Sequence, residues 1–134
     1  MRFAGYAAVF DRVDRGGDVI RKGAFAGTLA RKGAVPLLWQ HQAGAVIGTI
    51  EQVREDRRGL RVIGSLGGSE EARRAGALLA SGKLDGLSFG YRVGRAEQVG
   101  GVRELSELEL VEVSLVAKPM QRLARVHAVE GAVG

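Results

Sequence analysis

The stretch GLSFG at residues 86–90 places Ser88 between two glycines in the pattern G-x-S-x-G. In α/β-hydrolases this pattern forms a sharp turn from a strand into a helix, and the serine is the nucleophile. Here Phe89, Tyr91 and Val93 alternate with glycine and arginine, a period typical of a strand. The hydrolase turn therefore does not fit, and Ser88 is either a nucleophile of another fold or an ordinary strand serine.

The neighbours of Ser88 bear on that choice. Side chains alternate between the two faces of a strand, so Ser88 and Gly90 share the face opposite the apolar residues. Gly90 has no side chain, which leaves room for a substrate backbone beside the hydroxyl. A serine hydroxyl is a weak nucleophile at neutral pH and needs a base within hydrogen-bond reach.

The chain has two histidines that could be this base. His41 follows VPLLWQ at the end of a predicted buried strand and precedes QAGA, a predicted turn. A strand end holds the backbone in place while the ring reaches both solvent and substrate. His127 lies among the last residues, where chains commonly fray. A partly buried histidine that bonds only to backbone groups is the alternative interpretation of His41.

The segment ELELVEVSLV contains a candidate for the group that orients the base. Its apolar set changes phase and comprises Leu108, Leu110, Val111, Val113 and Leu115. This change predicts either a β-bulge or a strand covered on both faces. Glu112 and Ser114 lie opposite the second part of that set. A carboxylate flanked by valines needs a partner, either the catalytic base or one of the many arginines.

Period and turn residues predict about seven strands. They cover RFAGYAAVF (2–10), AVPLLWQH (34–41), AVIGTIEQVRED (45–56), GLRVIGSL (59–66), LSFGYRVGRAEQ (87–98), ELSELELVEVSLVAKP (104–119) and LARVHAV (123–129). The third and fourth strands form a predicted hairpin through residues 57–59. The last segment is either a strand or, from about residue 127, a disordered tail.

Two helices are predicted between these strands. KGAFAGTLARKG carries apolar residues at helical spacing, and Gly33 ends it. SEEARRAGALLASG is capped by Ser69 and closed by Gly82, with Ala75, Leu78 and Leu79 as its apolar stripe. Strands and helices together indicate a single α+β domain over residues 1–134, built round a mostly antiparallel sheet or barrel.

Composition limits the class of protein. Of 134 residues, 46% are hydrophobic and 26% charged, an ordinary globular balance. Without cysteine there are no disulfides or thiolate metal sites, and an intracellular protein is expected. No apolar run approaches the roughly 20 residues that cross a bilayer. The net charge of +5 would favour binding to nucleic acid, but the arginines are scattered and no aromatic stacking platform is present.

Five blocks of the sequence resemble the prohead (capsid maturation) proteases of tailed phages, of the type found in HK97-like phages and gene-transfer agents. They are GYAAVFDRVDRGGDVIRKGAF (5–25), VPLLWQH (35–41), IGTIEQVREDRRGLRVIGSL (47–66), LLASGKLDGLSFGYRV (78–93) and LELVEVSLVAKP (108–119). The blocks occur in family order and cover nearly the whole chain.

The resemblance implies a serine endopeptidase with the fold of the herpesvirus assembly proteases (assemblins), a mostly antiparallel closed barrel of about seven strands with two or three helices. It implies Ser88 as nucleophile, His41 as base and Glu112 as third member, with Glu107, Glu109 and His127 as alternatives for the third place. It also implies that main-chain groups near Met120, Gln121 and Arg122 hold the oxyanion, although AKPMQRLARV departs from the family's usual turn.

The same resemblance implies protein substrates, namely the major capsid protein and scaffold segments. It implies action in the cytoplasm of a bacterial host, inside the assembling prohead, with no cofactor, no metal and no membrane, and with a homodimer as the inherited expectation. The chain is short beside its relatives, which suggests a trimmed or core-only form. Two alternatives stay open: a non-catalytic capsid-assembly or scaffold component that keeps the barrel, and a basic barrel that binds nucleic acid.

Overall fold

The computed structural model describes residues 1–30 and 35–131. In chain order the elements are β1 (Arg2–Val9), β2 (Asp18–Ile20), α1 (Ala26–Ala30), β3 (Val35–Trp39), β4 (Gln42–Glu55), β5 (Gly59–Leu66), α2 (Glu70–Ala80), β6 (Gly86–Val99), β7 (Val102–Val116) and β8 (Val126–Glu130). The chain is thus mostly strands with two helices among the described residues, which confirms the α+β class. The predicted end of the first helix at Gly33 lies outside the described residues.

Eight strands pair into one sheet in the order β2-β7-β3-β4-β5-β1-β8, and β6 also pairs with β7. The two strands that precede α2, β4 and β5, form the predicted antiparallel hairpin. Asp56 stabilises its turn, because one carboxylate oxygen accepts hydrogen bonds from the N–H groups of Arg58 and Gly59. Of the two possibilities for the last segment, the structure has the strand, β8, which pairs with β1.

The expectation of a closed antiparallel barrel is not confirmed. β2 and β3 both pair with β7 in parallel, so the sheet is mixed. Along the described residues the pairing runs from β2 to β8 without returning to its start, so the sheet is open. Hydrophobic period predicts that a segment is a strand, whereas the partner and its direction depend on the course of the connections. That is why the parallel pairs were not foreseen.

The long strand β7 organises the functional part of the sheet. β6 runs along one edge of β7 for nearly its whole length. β2 and β3 therefore share the other edge, at residues 103–105 and 113–115 respectively. The beginning of β6 also bonds to the segment before β8, since Leu87 N–H donates to Ala124 C=O at 2.9 Å. The outer edge of β6 beyond that point is unpaired along the described residues.

One hydrophobic core lies between the curved sheet and the helices. Its largest fully buried side chains include Phe3, Phe25, Leu37, Leu60, Leu87, Leu105 and Leu115. The helix α2 packs there through Ala72, Ala75 and Leu79, while Leu78 of the predicted stripe is only partly buried. Ser69 caps this helix as predicted, because its Oγ accepts a hydrogen bond from Ala72 N–H at 3.0 Å.

Candidate active site

His41 lies in a two-residue hairpin turn between β3 and β4. Trp39 pairs with Gln42 across the turn, and the central residues Gln40 and His41 have φ values of 50° and 61°. Positive φ at both positions is the geometry of the tight type I′ hairpin. Among residues other than glycine it is favoured by asparagine, aspartate and histidine, so Gln40 is the unfavourable residue here. The expected turn at QAGA is wrong, because β4 already begins at Gln42.

Hydrogen bonds to the C-terminal end of β7 and to the residue that follows it hold this strained hairpin. The main-chain N–H of His41 donates to Ser114 Oγ at 3.1 Å, and the N–H of Gln40 donates to Leu115 C=O at 3.0 Å. The side-chain carbonyl of Gln40 in turn accepts a bond from Ala117 N–H at 3.1 Å. Strained backbone persists where the surrounding structure over-determines it, and here three bonds fix the position of the His41 ring.

A bulge in β7 explains the change of apolar phase that the sequence shows. Gly90 of β6 pairs with Glu112, but the next residue, Tyr91, pairs with Leu110. Val111 is therefore the extra residue of the bulge, and it is 41% exposed. The predicted bulge is confirmed, whereas the assignment of Val111 to the apolar set is wrong. Extra residues of bulges lose their ladder partner and turn away from the packed face.

The bulge gathers polar side chains on one face of the β6–β7 pair. Ser88 lies opposite Ser114 in the register, and Gly90 lies opposite Glu112. The space beside Gly90 is occupied by Glu112, since a Cβ atom on residue 90 would overlap the Glu112 carboxylate. The glycine therefore makes room for this side chain, on the face where the sequence suggested room for a substrate.

Glu112 is the centre of a hydrogen-bonded network. Its Oε1 lies 2.6 Å from His41 Nδ1, and its Oε2 accepts a 2.6 Å bond from Ser114 Oγ. The residue is 8% exposed, whereas the side chain of His41 is 43% exposed. Both oxygens of a buried carboxylate are thus satisfied, and its partner is the histidine rather than an arginine.

This contact determines the protonation of His41. The hydrogen bond to Glu112 raises the pKa of His41 above the ordinary histidine value, against the smaller opposing effect of partial burial. A carboxylate accepts but cannot donate, so the neutral ring must carry its proton on Nδ1. The lone pair is then on Nε2, the ring nitrogen that does not contact Glu112.

Ser88 and His41 line the same small cleft, of about 100 Å³. Its other lining residues are Ala7, Asp14, Ile20, Phe89, Tyr91, Met120 and Gln121. Ser88 is 8% exposed, and its Oγ forms no hydrogen bond with any described residue, His41 included. Bonds between nucleophile and base are often long in unliganded proteins and tighten when substrate binds.

The segment expected to hold an oxyanion reaches this cleft in part. Met120 and Gln121 line it, whereas Arg122 does not. The Gln121 side chain is buried and makes two bonds to Val9, accepting from its N–H at 2.8 Å and donating to its C=O at 2.7 Å. In the part of the chain that the structure describes, the N–H groups of Gln121 and Arg122 have no acceptor.

The alternatives for the third member lie elsewhere. Glu109 is exposed and pairs with Arg92 at 2.9 Å. Glu107 is exposed beside Gly94, and the His127 ring packs against Tyr6 with 5.9 Å between centroids. None of the three lines the cleft that contains Ser88 and His41.

Sequence reasoning missed the part that Ser114 plays. This serine is fully buried, and it bonds both to the Glu112 carboxylate and to the His41 main chain. The available signal was a small polar residue two positions after Glu112, on the same face of the most apolar strand.

The described ranges contain neither a cluster of metal ligands nor a membrane-spanning helix. Residues 1–30 and 35–131 contain no group of three or more His, Asp or Glu side chains placed to hold a metal ion. Neither helix within these ranges has the length and apolar character to cross a membrane.

Comparison with known proteins finds a relative of similar sequence. The chain is 30% identical over 138 residues to the prohead protease of Enterobacteria phage HK97, covering 98% of this chain and 61% of that protein. It therefore spans less than two thirds of the length of this relative.

Solved structures share the fold at low sequence identity. The bacteriophage T4 capsid assembly protease superposes with a TM-score of 0.68 at 14% identity, over 86% of this chain and 80% of that one. KSHV protease in complex with a hexapeptide phosphonate inhibitor superposes with a TM-score of 0.65 at 14% identity, over 93% of this chain and 63% of that one. Varicella-zoster virus protease superposes with a TM-score of 0.61 at 16% identity, over 94% of this chain and 62% of that one. The assemblin-like architecture expected from the sequence is thus shared.

A family model supplies the assignment. The model described as caudovirus prohead serine protease matches residues 1–133, almost the whole chain. The chain belongs to the family of caudovirus prohead serine proteases.

Proposed function

We propose that this domain is a serine endopeptidase that processes capsid and scaffold proteins during prohead maturation. In this proposal Ser88 is the nucleophile, His41 the general base and Glu112 the group that orients the base. The observation that carries it is the 2.6 Å contact between Glu112 and His41 Nδ1 at the edge of the cleft that Ser88 lines.

The reaction is an acyl transfer in two halves. His41 Nε2 takes the Ser88 proton as Oγ bonds to the scissile carbonyl carbon and the carbonyl electron pair moves onto oxygen. Collapse of this intermediate expels the amine, which receives the proton from Nε2. Water then releases the acyl group by the same steps, with His41 again as base. Glu112 keeps the ring in the required tautomer and stabilises the imidazolium.

Main-chain N–H groups near Gln121 and Arg122 stabilise the oxyanion in this mechanism. They lie just after Met120, they have no acceptor among the described residues, and the Gln121 side chain anchors the segment to Val9. One such donor is worth about 3–4 kcal/mol in the transition state.

The substrate is an extended protein segment that adds to the outer edge of β6. Leu87 N–H already points away from β7, toward Ala124. Because main-chain direction alternates along a strand, the N–H and C=O groups of Phe89 and Tyr91 also face that open edge. A peptide that pairs there passes beside Ser88. The HK97 relative is a prohead protease, so capsid and scaffold segments inside the assembling prohead are the proposed substrates. The proposed compartment is the cytoplasm of the bacterial host, and a homodimer stays an expectation from the family.

Co-expression with the cognate capsid protein tests the proposal. We expect the unmodified protein to process it and both Ser88→Ala and His41→Ala to lose processing by several orders of magnitude while folding normally. Ser106→Ala is the matched control, because Ser106 is exposed on β7. Full processing by either active-site variant would remove that residue from the mechanism.

A non-catalytic role in capsid assembly is the second candidate. The observation that favours it is the missing hydrogen bond between Ser88 and His41. A serine-reactive phosphonate separates the two candidates, because only an activated Ser88 forms the covalent adduct. If Ser88 stays unlabelled at pH 8 while the chain is folded, the assembly role is favoured.

A further inference from the structure

The cleft has an acidic residue in its wall that the proposed mechanism does not use. Asp14 lines the cleft together with Ser88 and His41. It belongs to the turn between β1 and β2, where its Oδ1 accepts bonds from Gly16 N–H at 2.8 Å and Asp18 N–H at 3.0 Å. The next residue, Arg15, donates its N–H to Met120 C=O at 3.1 Å. These bonds fix the Asp14 carboxylate against the segment proposed to hold the oxyanion.

The negative charge of Asp14 is not neutralised by an ion pair among the described residues. Its neighbour Asp18 is neutralised, since Arg103 binds both Asp18 oxygens at 2.9 and 2.8 Å. Burial raises the pKa of Tyr91, whose side chain also lines the cleft, and the nearby charge of Asp18 raises it further. The charge of Arg103 lowers this pKa, and the smaller effect of Asp14 raises it. Asp14, Asp18 and Arg103 together therefore leave one negative charge at this wall.

The remaining walls are mostly apolar. Ala7, Ile20, Phe89 and Met120 contribute carbon and sulfur surface. A volume of about 100 Å³ holds one side chain, since clefts for whole small-molecule ligands begin at roughly 300 Å³. Apolar walls with a carboxylate among them suit a side chain with an aliphatic stem and a cationic tip, as in lysine and arginine.

We propose that Asp14 is a specificity-determining residue that selects lysine or arginine at the substrate residue whose carbonyl Ser88 attacks. The proposal rests on the proposed function, because it assigns the cleft beside Ser88 to the side chain next to the scissile bond. Asp14 makes no contact with the reacting atoms in this role. It binds the cationic tip, and it disfavours acidic side chains at the same position.

Labelling with peptide phosphonates tests this directly, because phosphorus takes the place of the scissile carbonyl. The reagents differ only in the adjoining side chain, which is lysine, its neutral analogue norleucine, or glutamate. We expect the lysine reagent to label Ser88 about tenfold faster than the norleucine reagent, because it gains one partly exposed charge pair with Asp14. The glutamate reagent should label Ser88 most slowly.

Asp14→Asn is the informative variant, because its side-chain oxygen still accepts the bonds from Gly16 and Asp18 while the charge is lost. We expect it to bring the lysine and norleucine rates together without lowering the norleucine rate. Asp11→Asn is the matched control, since Asp11 is an exposed carboxylate in the same turn that does not line the cleft. It should keep the lysine preference.

The possible outcomes distinguish the role of Asp14 from the proposed protease function. Equal labelling of the unmodified protein by lysine and norleucine reagents overturns the role of Asp14 and leaves the serine protease intact. A lysine preference that survives in Asp14→Asn overturns it as well. If no reagent labels Ser88, both proposals fall. Cleavage of a mixed peptide library adds a check, because basic residues enriched only after the scissile bond would contradict the assigned position.

Discussion

Ser114 Oγ bridges the main chain and the side-chain partner of His41. It accepts the His41 N–H at 3.1 Å and donates to Glu112 at 2.6 Å, while Glu112 itself lies 2.6 Å from the His41 ring. One buried hydroxyl therefore couples the backbone of a strained turn to the carboxylate that orients its imidazole.

Ser114→Ala should lower kcat without unfolding the protein. Loss of the hydroxyl leaves one Glu112 oxygen and the His41 N–H without their partner, so the ring loses its position. A displacement of about 1 Å near reacting atoms costs roughly 10²-fold in rate. Ser114→Thr keeps a hydroxyl and should recover part of the activity, whereas a role in packing alone would make the larger threonine no better than alanine. Peptide cleavage and urea unfolding of the same samples measure both effects.

Glu112→Gln should change the pH dependence of activity as well as its magnitude. The proposed base His41 can act only when neutral, and Glu112 raises its pKa, so we expect activity in the unmodified protein to fall as pH drops through that raised value. Without the carboxylate charge, the acid limb of kcat/KM should move to lower pH. By analogy with other triads, the maximal rate should fall by about 10⁴-fold.

Titration of the His41 ring by NMR measures the same shift without turnover. Glu109→Gln, which removes an exposed carboxylate from the same strand, should leave the His41 titration unchanged. A His41 pKa that is identical in Glu112→Gln and the unmodified protein would contradict the assigned contact.

Gly90→Ala should disable the site through Glu112. The added methyl group would overlap the Glu112 carboxylate, so that side chain must move away from His41. We expect a loss of about 10²-fold in kcat, with a smaller effect on stability. Gly101→Ala is the control, because no atom lies within 4 Å of a Cβ atom placed there. Full activity of Gly90→Ala would mean that Glu112 does not need its present position.

Gln121→Leu should destabilise the fold. The substitution leaves the buried N–H and C=O of Val9 without partners, at a cost of about 2–3 kcal/mol in the free energy of unfolding. Gln98→Leu, at an exposed position of β6, should cost much less. Equal unfolding free energies for the two variants would show that Gln121 does not anchor its segment to β1.

Much of the local structure could be predicted from the chain alone. Alternating apolar residues predicted the strands β5 and β7, and Ser69 with the following acids predicted the start of α2. The phase change around Val111 predicted either a bulge or a strand covered on both faces, and the structure has the bulge. Each of these signals acts over a few residues, because side-chain period and capping depend only on near neighbours.

The turn at His41 was harder to predict, because Gln40 is not a residue that favours positive φ. Their conformation depends on bonds to Ser114 and Leu115, more than seventy positions along the chain. The parallel pairing of β3 with β7 brings those residues together, and no local pattern specifies it.

By itself the sequence determined the candidate residues Ser88, His41 and Glu112, the change of apolar phase beside Glu112, and the family. Only the tertiary structure decided that the Glu112 carboxylate faces His41 rather than an arginine, and that Ser114 and Asp14 belong to the same site. The physical reason is that a hydrogen bond between distant residues depends on strand partners and register, which are chosen by the packing of the whole sheet.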